Sequence, residues 1–234
     1  MTLTLMHISD THIDGSPESV RRLEAVLDLL PPSRRPDAIA VTGDVADTGA
    51  DGEYRRFGEA LAGREPWIAV PGNHDDSPLF AERLGVADVL DAGGLRIVGI
   101  DVSVDGEDHG VLGQEAADRA AVRAEGAEAT VLAFHHPPVP IGHSLIDPTL
   151  LRNPEALREL VDRIGTVRAI LCGHVHTAAR SEFAGVPVLV APGVASALKP
   201  DPDARPIIDA AQPPGLALHR FDDGGVTTTF HYAG

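Results

Sequence analysis

Short apolar runs, most of them closed by a glycine, an aspartate or a histidine, set the layout of this chain. Residues 3–9 alternate as a half-buried strand does, while residues 38–42, 67–70, 95–101, 130–134, 167–172 and 186–190 are near-continuous apolar runs of strand length. Between them the apolar spacing changes to that of a helix. Ser16 and Pro17 supply an N-cap and a first helical residue, and Val20, Leu23, Leu27 and Leu30 form a stripe that Pro31-Pro32 ends. A helix over roughly 51–62 turns Tyr54, Phe57 and Leu61 inward, and Ser77-Pro78 starts another. The alanine-rich stretch 115–124 reads as helical. So does 153–165, with Leu157, Leu160, Val161 and Ile164 inward and Gly165 as C-cap. Two strands close the chain around 216–221 and 226–232.

Strands alternating with helices make this an α/β protein. A chain of 234 residues that is 43% hydrophobic can bury one sizeable core, so 1–234 is expected to be one domain. No solenoid or heptad period divides it. The opening residues lack a basic region and are interrupted at His7 and Asp10, which is expected of neither a leader nor a membrane span; a cytoplasmic location follows. Cys172 is the only cysteine, which excludes an intrachain disulfide and a cysteine-rich metal site and leaves it as a small buried hydrophobe. A formal charge of -16 works against capture of nucleic acid or an anionic membrane. It bears less on a small phosphate ester, because bound divalent cations reverse the local sign.

Chemistry gathers where the strands stop. The first run delivers Asp10-Thr11-His12, and side chains two apart in extended chain project to one side. The second delivers Gly43-Asp44-Val45-Ala46-Asp47, in which Asp44 is the sharper candidate and Asp47 a capping or supporting residue. Pro71-Gly72-Asn73-His74-Asp75-Asp76 follows the third; taken alone it is also a good turn. The run at 130–134 ends in His135-His136-Pro137-Pro138, and 167–172 ends in Gly173-His174-Val175-His176, again at a spacing of two. Five strand ends bearing Asp10, His12, Asp44, Asn73, His74, His135, His174 and His176 imply one convergent site. Imidazole, carboxylate and amide oxygen without thiolate suit Mn, Fe, Co or Zn, and seven ligands, these residues without His74, fit two ions rather than one. His109 is expected to be a solvated loop histidine, His143 has no evident partner, and His219 and His231 are assigned to structure.

In this order, Asp-x-His, Gly-Asp-x-x-Asp, Gly-Asn-His-Asp, His and Gly-His-x-His, the motifs between Asp10 and His176 resemble those of the calcineurin-like metallophosphoesterase superfamily. His7-Ile-Ser-Asp-Thr-His and His135-His136-Pro137-Pro138 look most like its cyclic-nucleotide phosphodiesterase branch. The resemblance implies a four-layer α-β-β-α sandwich of two mixed β-sheets flanked by helices, with a metal site at the strand ends. It implies one metal on Asp10, His12, Asp44 and His176 and the other on Asp44, Asn73, His135 and His174, with Fe/Mn first among the pairs and Zn, Co or Mn/Mn as alternatives. Hydroxide held on the metals, not a protein nucleophile, would attack a small phosphodiester, in keeping with a chain that has neither a P-loop nor a Gly-x-Ser-x-Gly elbow. His74 would protonate the leaving oxygen as catalytic acid, and Asp75 would fix its tautomer.

Three readings of function are carried: a phosphodiesterase for 3′,5′- or 2′,3′-cyclic nucleotides, a phosphomonoesterase or nuclease, and a scaffold that has kept the fold. Nuclease action is disfavoured by the acidic balance, and the scaffold by a complete motif set. His136 is either a partner of a ligand or a wall of the pocket. The Pro-rich segment 199–214, within the C-terminal part 177–234, is a lid, a homodimer contact or a plain surface loop.

Overall fold

A computed structural model describes residues 2–64, 66–85 and 88–234. The elements run β1 (Leu3–Ile8), α1 (Pro17–Leu27), β2 (Ala38–Thr42), α2 (Asp51–Leu61), β3 (Trp67–Val70), α3 (Ser77–Leu84), β4 (Val89–Ala92), β5 (Leu95–Gly99), α4 (Gln114–Ala124) and β6 (Thr130–Ala133). Then follow α5 (Pro154–Ile164), β7 (Val167–Cys172), β8 (Ala179–Phe183), β9 (Val186–Val190), the two-residue strands β10 (Ala197–Leu198) and β11 (Ile208–Asp209), β12 (Gly215–Asp222) and β13 (Gly225–Tyr232). Among the described residues no helix is long and apolar enough to cross a membrane.

Two mixed sheets, ordered β13-β12-β1-β2-β3 and β4-β5-β6-β7-β9-β8, form the body of the molecule. In the first, β1, β2 and β3 are parallel. In the second, β5, β6, β7 and β9 are parallel. The period-two alternation decides what lies between them. Leu3, Leu5, Ala38, Ala40 and Ile68 meet Ile97, Val131, Ala133, Ala169, Leu171 and Leu189 in a core between the sheets. The alternate residues Met6, Ile8, Ile39 and Val41 face outward onto Leu23 and Val26 of α1 and Tyr54 and Phe57 of α2. Val98, Leu132, Ile170, Cys172 and Val188 face the other way, onto Ala120, Ala121, Leu157 and Leu160 of α4 and α5. That is the expected four-layer arrangement, and the buried Cys172 is a small core residue as expected.

The helix signals hold with local adjustments. Ser16 accepts from the Ser19 N–H and Pro17 opens α1, but the helix stops at Leu27, short of the prolines. Asp76, not Ser77, caps α3, accepting from the Leu79 N–H. Asn153 stands at the N-cap of α5, but its side chain makes no capping bond; its amide instead clasps the backbone of Leu112 on both sides. Three pairings escaped the reading of the sequence: β4 and β8 are short edge strands with charged residues, and β10 and β11 form a ribbon at the edges of the Pro-rich segment.

One strip of the inter-sheet core is polar. Thr42 Oγ1 lies 2.8 Å from His7 Nε2, His7 Nδ1 lies 3.0 Å from His219 Nε2, and His219 Nδ1 lies 2.9 Å from Thr228 Oγ1. Each imidazole is thereby paired without a charge, and burial lowers both pKa values, that of His219 to about 3. His219 is structural, as expected, and so is the exposed His231, which meets Thr229 on the outer face. Past this strip the two sheets touch through backbone: the N–H groups of Val194 and Ala195, beyond β9, donate to the carbonyls of Ser9 and Asp10, beyond β1. A Cβ on Gly173 would stand 1.8 Å from Ser9 Oγ and 2.9 Å from the Thr42 oxygen.

Two predictions follow from this packing. The folded pKa of His219 lies below its unfolded value near 6.5, so the folded state binds fewer protons and stability falls as the pH drops below about 6.5. The loss per such histidine is about 1 kcal/mol between pH 7 and 5.5. Urea unfolding at both pH values should show a shallower pH slope in His219→Gln; an unchanged slope would show that the ring titrates normally in the fold. At the contact between the sheets, Gly173→Ala should cost about 1–3 kcal/mol, whereas Gly15→Ala, with nothing within 4 Å of its Cβ, should stay within about 0.5 kcal/mol. Equal costs would mean that the sheets can part without penalty.

Candidate metal centre

The loops after β1, β2, β3, β6 and β7 meet above this contact and bring all eight candidate side chains together. Their backbones are tied to one another before any side chain is considered. The N–H groups of Asp10 and His12 donate to the carbonyls of Gly43 and Asp44. The N–H groups of His74 and His174 donate to the carboxylates of Asp44 and Asp10, each at 3.0 Å. The spacing of two does not act through extended chain, as the sequence suggested. Asp10, His12, Asp44, His174 and His176 all have positive φ, between 39° and 70°, because the chain turns sharply at each strand end. Such left-handed backbone costs roughly 1 kcal/mol or more at a non-glycine residue and concentrates at functional sites. Gly43, at φ +92, has to be glycine: a Cβ there would come within 2.5 Å of His135 Nδ1.

Asp10, His12, Asp44 and His176 form one compact group. His12 Nε2 and His176 Nε2 are 3.2 Å apart, His12 Nε2 is 3.5 Å from Asp44 Oδ2, and His176 Nε2 is 3.5 Å from Asp10 Oδ1. The other ring nitrogens are engaged elsewhere: His12 Nδ1 meets Asp47 Oδ1 at 3.1 Å and His176 Nδ1 meets Ser196 Oγ at 2.8 Å. On the other side of Asp44 stand His135, whose Nε2 is 3.3 Å from Asp44 Oδ2, and His174, whose Nδ1 is 3.1 Å from Asn73 Oδ1. His135 is held from behind by the Thr42 carbonyl at 2.6 Å, and His174 by Thr149 Oγ1 at 2.8 Å. Asp44 is therefore shared between two groups of donors.

This donor set fits two cations. Four imidazole nitrogens and two buried carboxylates crowd one point, and Asp10 Oδ2 and His135 Nε2 are buried with no hydrogen-bond partner among the described residues. Burial alone would raise the Asp44 carboxyl, but His135, His12 and His74 outweigh it and hold it well below the usual carboxylate range. For His135 burial is likewise overcome, chiefly by Asp44, and the ring is pushed up to about 9. Burial and then the His135 charge bring His174 down to about 3, so that it is a neutral donor.

Three expectations about the surrounding residues change. His74 does not meet Asp75: its Nδ1 lies 2.8 Å from the Asp47 carbonyl, and its ring stands edge-on to His12 at 4.6 Å between centroids. Asp75 turns under the loops, accepting from the N–H groups of Gly72, Val45 and Ala46 at 2.9–3.0 Å, so it braces two motifs rather than fixing a tautomer. Burial and then Asp44 raise its carboxyl to about 6. His109 is not solvated: it is buried, with Glu107 3.4 Å from its Nδ1. His136 is buried as well, its Nε2 meeting the Asp108 carbonyl at 3.2 Å and its ring lying 4.5 Å from that of His174. Of the supporting residues, Asp47 was expected. Thr42, Ser196 and Thr149 were not, since no local motif marks them.

Comparison with known proteins agrees with this geometry. Residues 3–178 match the family model of calcineurin-like phosphoesterases. A probable cyclic nucleotide phosphodiesterase of Rhodococcus erythropolis is 35% identical over 80% of this chain and 69% of its own length. A glycerophosphodiester phosphodiesterase of Enterobacter lignolyticus is 28% identical over 93% of this chain and 87% of its own. A dimetal phosphatase from Danio rerio shares the fold, with a TM-score of 0.70 and 14% identity over 99% of both chains. The chain belongs to the calcineurin-like phosphoesterase family and is a metal-dependent phosphoester hydrolase of the kind that works through a dinuclear centre.

Proposed function

We propose that this protein is a phosphodiesterase for small cyclic nucleotides, with one cation on Asp10, His12, Asp44 and His176 and a second on Asp44, Asn73, His135 and His174. The observation that carries the reading is the carboxylate of Asp44 between two groups of imidazoles, each ring backed by a partner on its far side. A borderline pair such as Fe/Mn suits nitrogen and oxygen donors without thiolate. Two cations supply a water of lowered pKa and draw charge off the phosphoryl oxygens. The substrate class rests on the Rhodococcus relative. The Enterobacter relative supports a second reading, a glycerophosphodiester, which needs the same centre. The reading puts the protein in the cytoplasm, in keeping with one free, buried cysteine.

The chain's own residues divide the remaining work. His74 is exposed at the rim, over His12. Burial lowers its basicity, but Asp44 and the backbone of Asp47 outweigh this and the net shift is upward, which favours the imidazolium. Its Nδ1–H is given to the Asp47 carbonyl, so Nε2–H is the proton free to move. As the P–O bond to the leaving oxygen breaks, that proton passes to the oxygen and His74 is left neutral, a transfer worth about 10²–10⁴-fold. Asp75 takes no part in the transfer; it keeps the Asn73 loop and the Asp44 loop at a fixed distance.

The test is initial rates of the Mn-reconstituted protein on 3′,5′-cyclic AMP, 2′,3′-cyclic AMP, a glycerophosphodiester and a phosphate monoester. Turnover of a cyclic diester above the others supports the proposal; preference for the glycerol diester selects the second reading, and preference for the monoester overturns both. Asn73→Ala and Asp44→Ala should lose bound metal and activity together, and full metal occupancy in either would refute the ligand assignment. His74→Ala should keep both metals and lose about 10²–10⁴-fold in kcat. Unchanged turnover would remove its role as acid.

A further inference from the structure

Three of the four imidazoles at the centre turn Nε2 inward, because Asp47, Ser196 and the Thr42 carbonyl occupy their Nδ1 atoms. His174 is reversed. Its Nδ1 lies by Asn73 Oδ1 and its Nε2 meets Thr149 Oγ1. We infer that Thr149 is a positioning residue for the second cation: its hydroxyl oxygen accepts from Nε2–H of His174, and this leaves the Nδ1 lone pair free to coordinate. The inference rests on the ligand set proposed above.

A neutral imidazole carries one proton, and the nitrogen that carries it cannot bind a metal. Asn73 Oδ1 is an acceptor 3.1 Å from Nδ1, so the carboxamide by itself would draw the proton to Nδ1 and spoil the ligand. Only an acceptor at Nε2 reverses the preference. A threonine hydroxyl has one hydrogen, and at Thr149 that hydrogen has a second place to go: the Ile146 carbonyl lies 2.8 Å from Oγ1. With the hydrogen there, the oxygen presents a lone pair to His174.

The hydroxyl is also held in place by its loop. Thr149 ends a 3-10 turn, Asp147–Thr149, in the connection from β6 to α5. Asp147 accepts from the N–H groups of Ile141 and Gly142 at 2.9 and 3.1 Å, and the His143 carbonyl accepts from those of Ile146 and Asp147. Leu150 and Leu151 anchor the far end in the core under α5. A side chain fixed in this way sets the direction of the imidazole as well as its tautomer, as partners behind metal-binding histidines do.

The experiment titrates metal-free full-length protein with Mn(II) against a chelating dye to obtain two stepwise affinities, for the wild type, Thr149→Val, Thr149→Ser and His174→Ala. Valine keeps the shape of threonine and removes the acceptor, while serine keeps the hydroxyl. Thr149→Val should bind its first equivalent as the wild type does and its second about 10–100-fold more weakly, and Thr149→Ser should restore the second. Wild-type affinity in Thr149→Val, or a serine variant as weak as valine, would overturn the inference, because a merely structural threonine would lower the unfolding midpoint without touching the second affinity. If Thr149→Val does not fold, Thr149→Ala against Thr149→Ser makes the same comparison. His174→Ala separates the two layers of argument: two full-affinity equivalents in that variant would remove the ligand assignment itself, whereas loss of the second there with none in Thr149→Val would remove only the role of Thr149.

Discussion

Two carboxylates, Asp10 and Asp44, are buried almost completely where the two sheets meet, and the rest of the structure answers to the cost of keeping them there. An isolated carboxylate in such a place is penalised by several kcal/mol, and the penalty is offset only by positive charge and donors close by. Backbone N–H groups of His74 and His174 supply part of that. The imidazoles supply more: Asp44 raises the basicity of His135 against burial, and His135 in turn holds the Asp44 carboxyl low. On the proposed ligand set, two bound cations would take the place of any proton between the same side chains. Metal binding there would be linked to proton release.

The same constraint explains the backbone. Five donor-bearing residues sit in left-handed conformation, and this strain persists only because the scaffold over-determines it. Parallel strands from both sheets end side by side, the loops bond to one another across the contact, and Asp75 ties two of them through three N–H groups. Lower in the core, the Thr42, His7, His219 and Thr228 strip pairs buried polar groups without charge. It joins β1, β2, β12 and β13 by side-chain hydrogen bonds just below the donors. Stiffness at the strand ends is what lets small, strained turns aim side chains at one point.

Much of this was legible because each donor travels with its strand. A run such as Ala38–Thr42 announces a buried strand, and the Gly43-Asp44 that follows has to emerge at its end, so Asp44 could be placed from local pattern alone. The helices were legible for the same reason, since Ser16-Pro17 and Gly165 act within one turn. Partners that come from far along the chain were not. Thr149 is 25 residues from His174 and Ser196 is 20 from His176, and a threonine or serine in a loop carries no period or motif. His109 looked solvated because its neighbours are acidic and glycine-bearing, yet the fold of the loop, not its composition, decides burial. The spacing of two was right about convergence and wrong about its cause, since a left-handed turn and an extended chain can deliver the same pair of residues to one place.

On the proposed reading specificity comes from outside the donor cluster, because two cations and an acid at the rim would recognise only the phosphoryl group that all the candidate esters share. The connections beside the cluster are the one carrying His109, the one from His135 to Thr149, and the segment from Ser196 onward, and on that reading the part of the ester beyond the phosphoryl group would meet them. These parts also hold the rings of the cluster, with Thr149 behind His174, Ser196 behind His176 and the Asp108 carbonyl behind His136, which packs on His174. A change in such a loop that admits a different leaving group therefore alters the support of an imidazole at the same time. Substrate choice and metal affinity would then be coupled by hydrogen bonds one residue deep, and re-engineering the first calls for measuring the second.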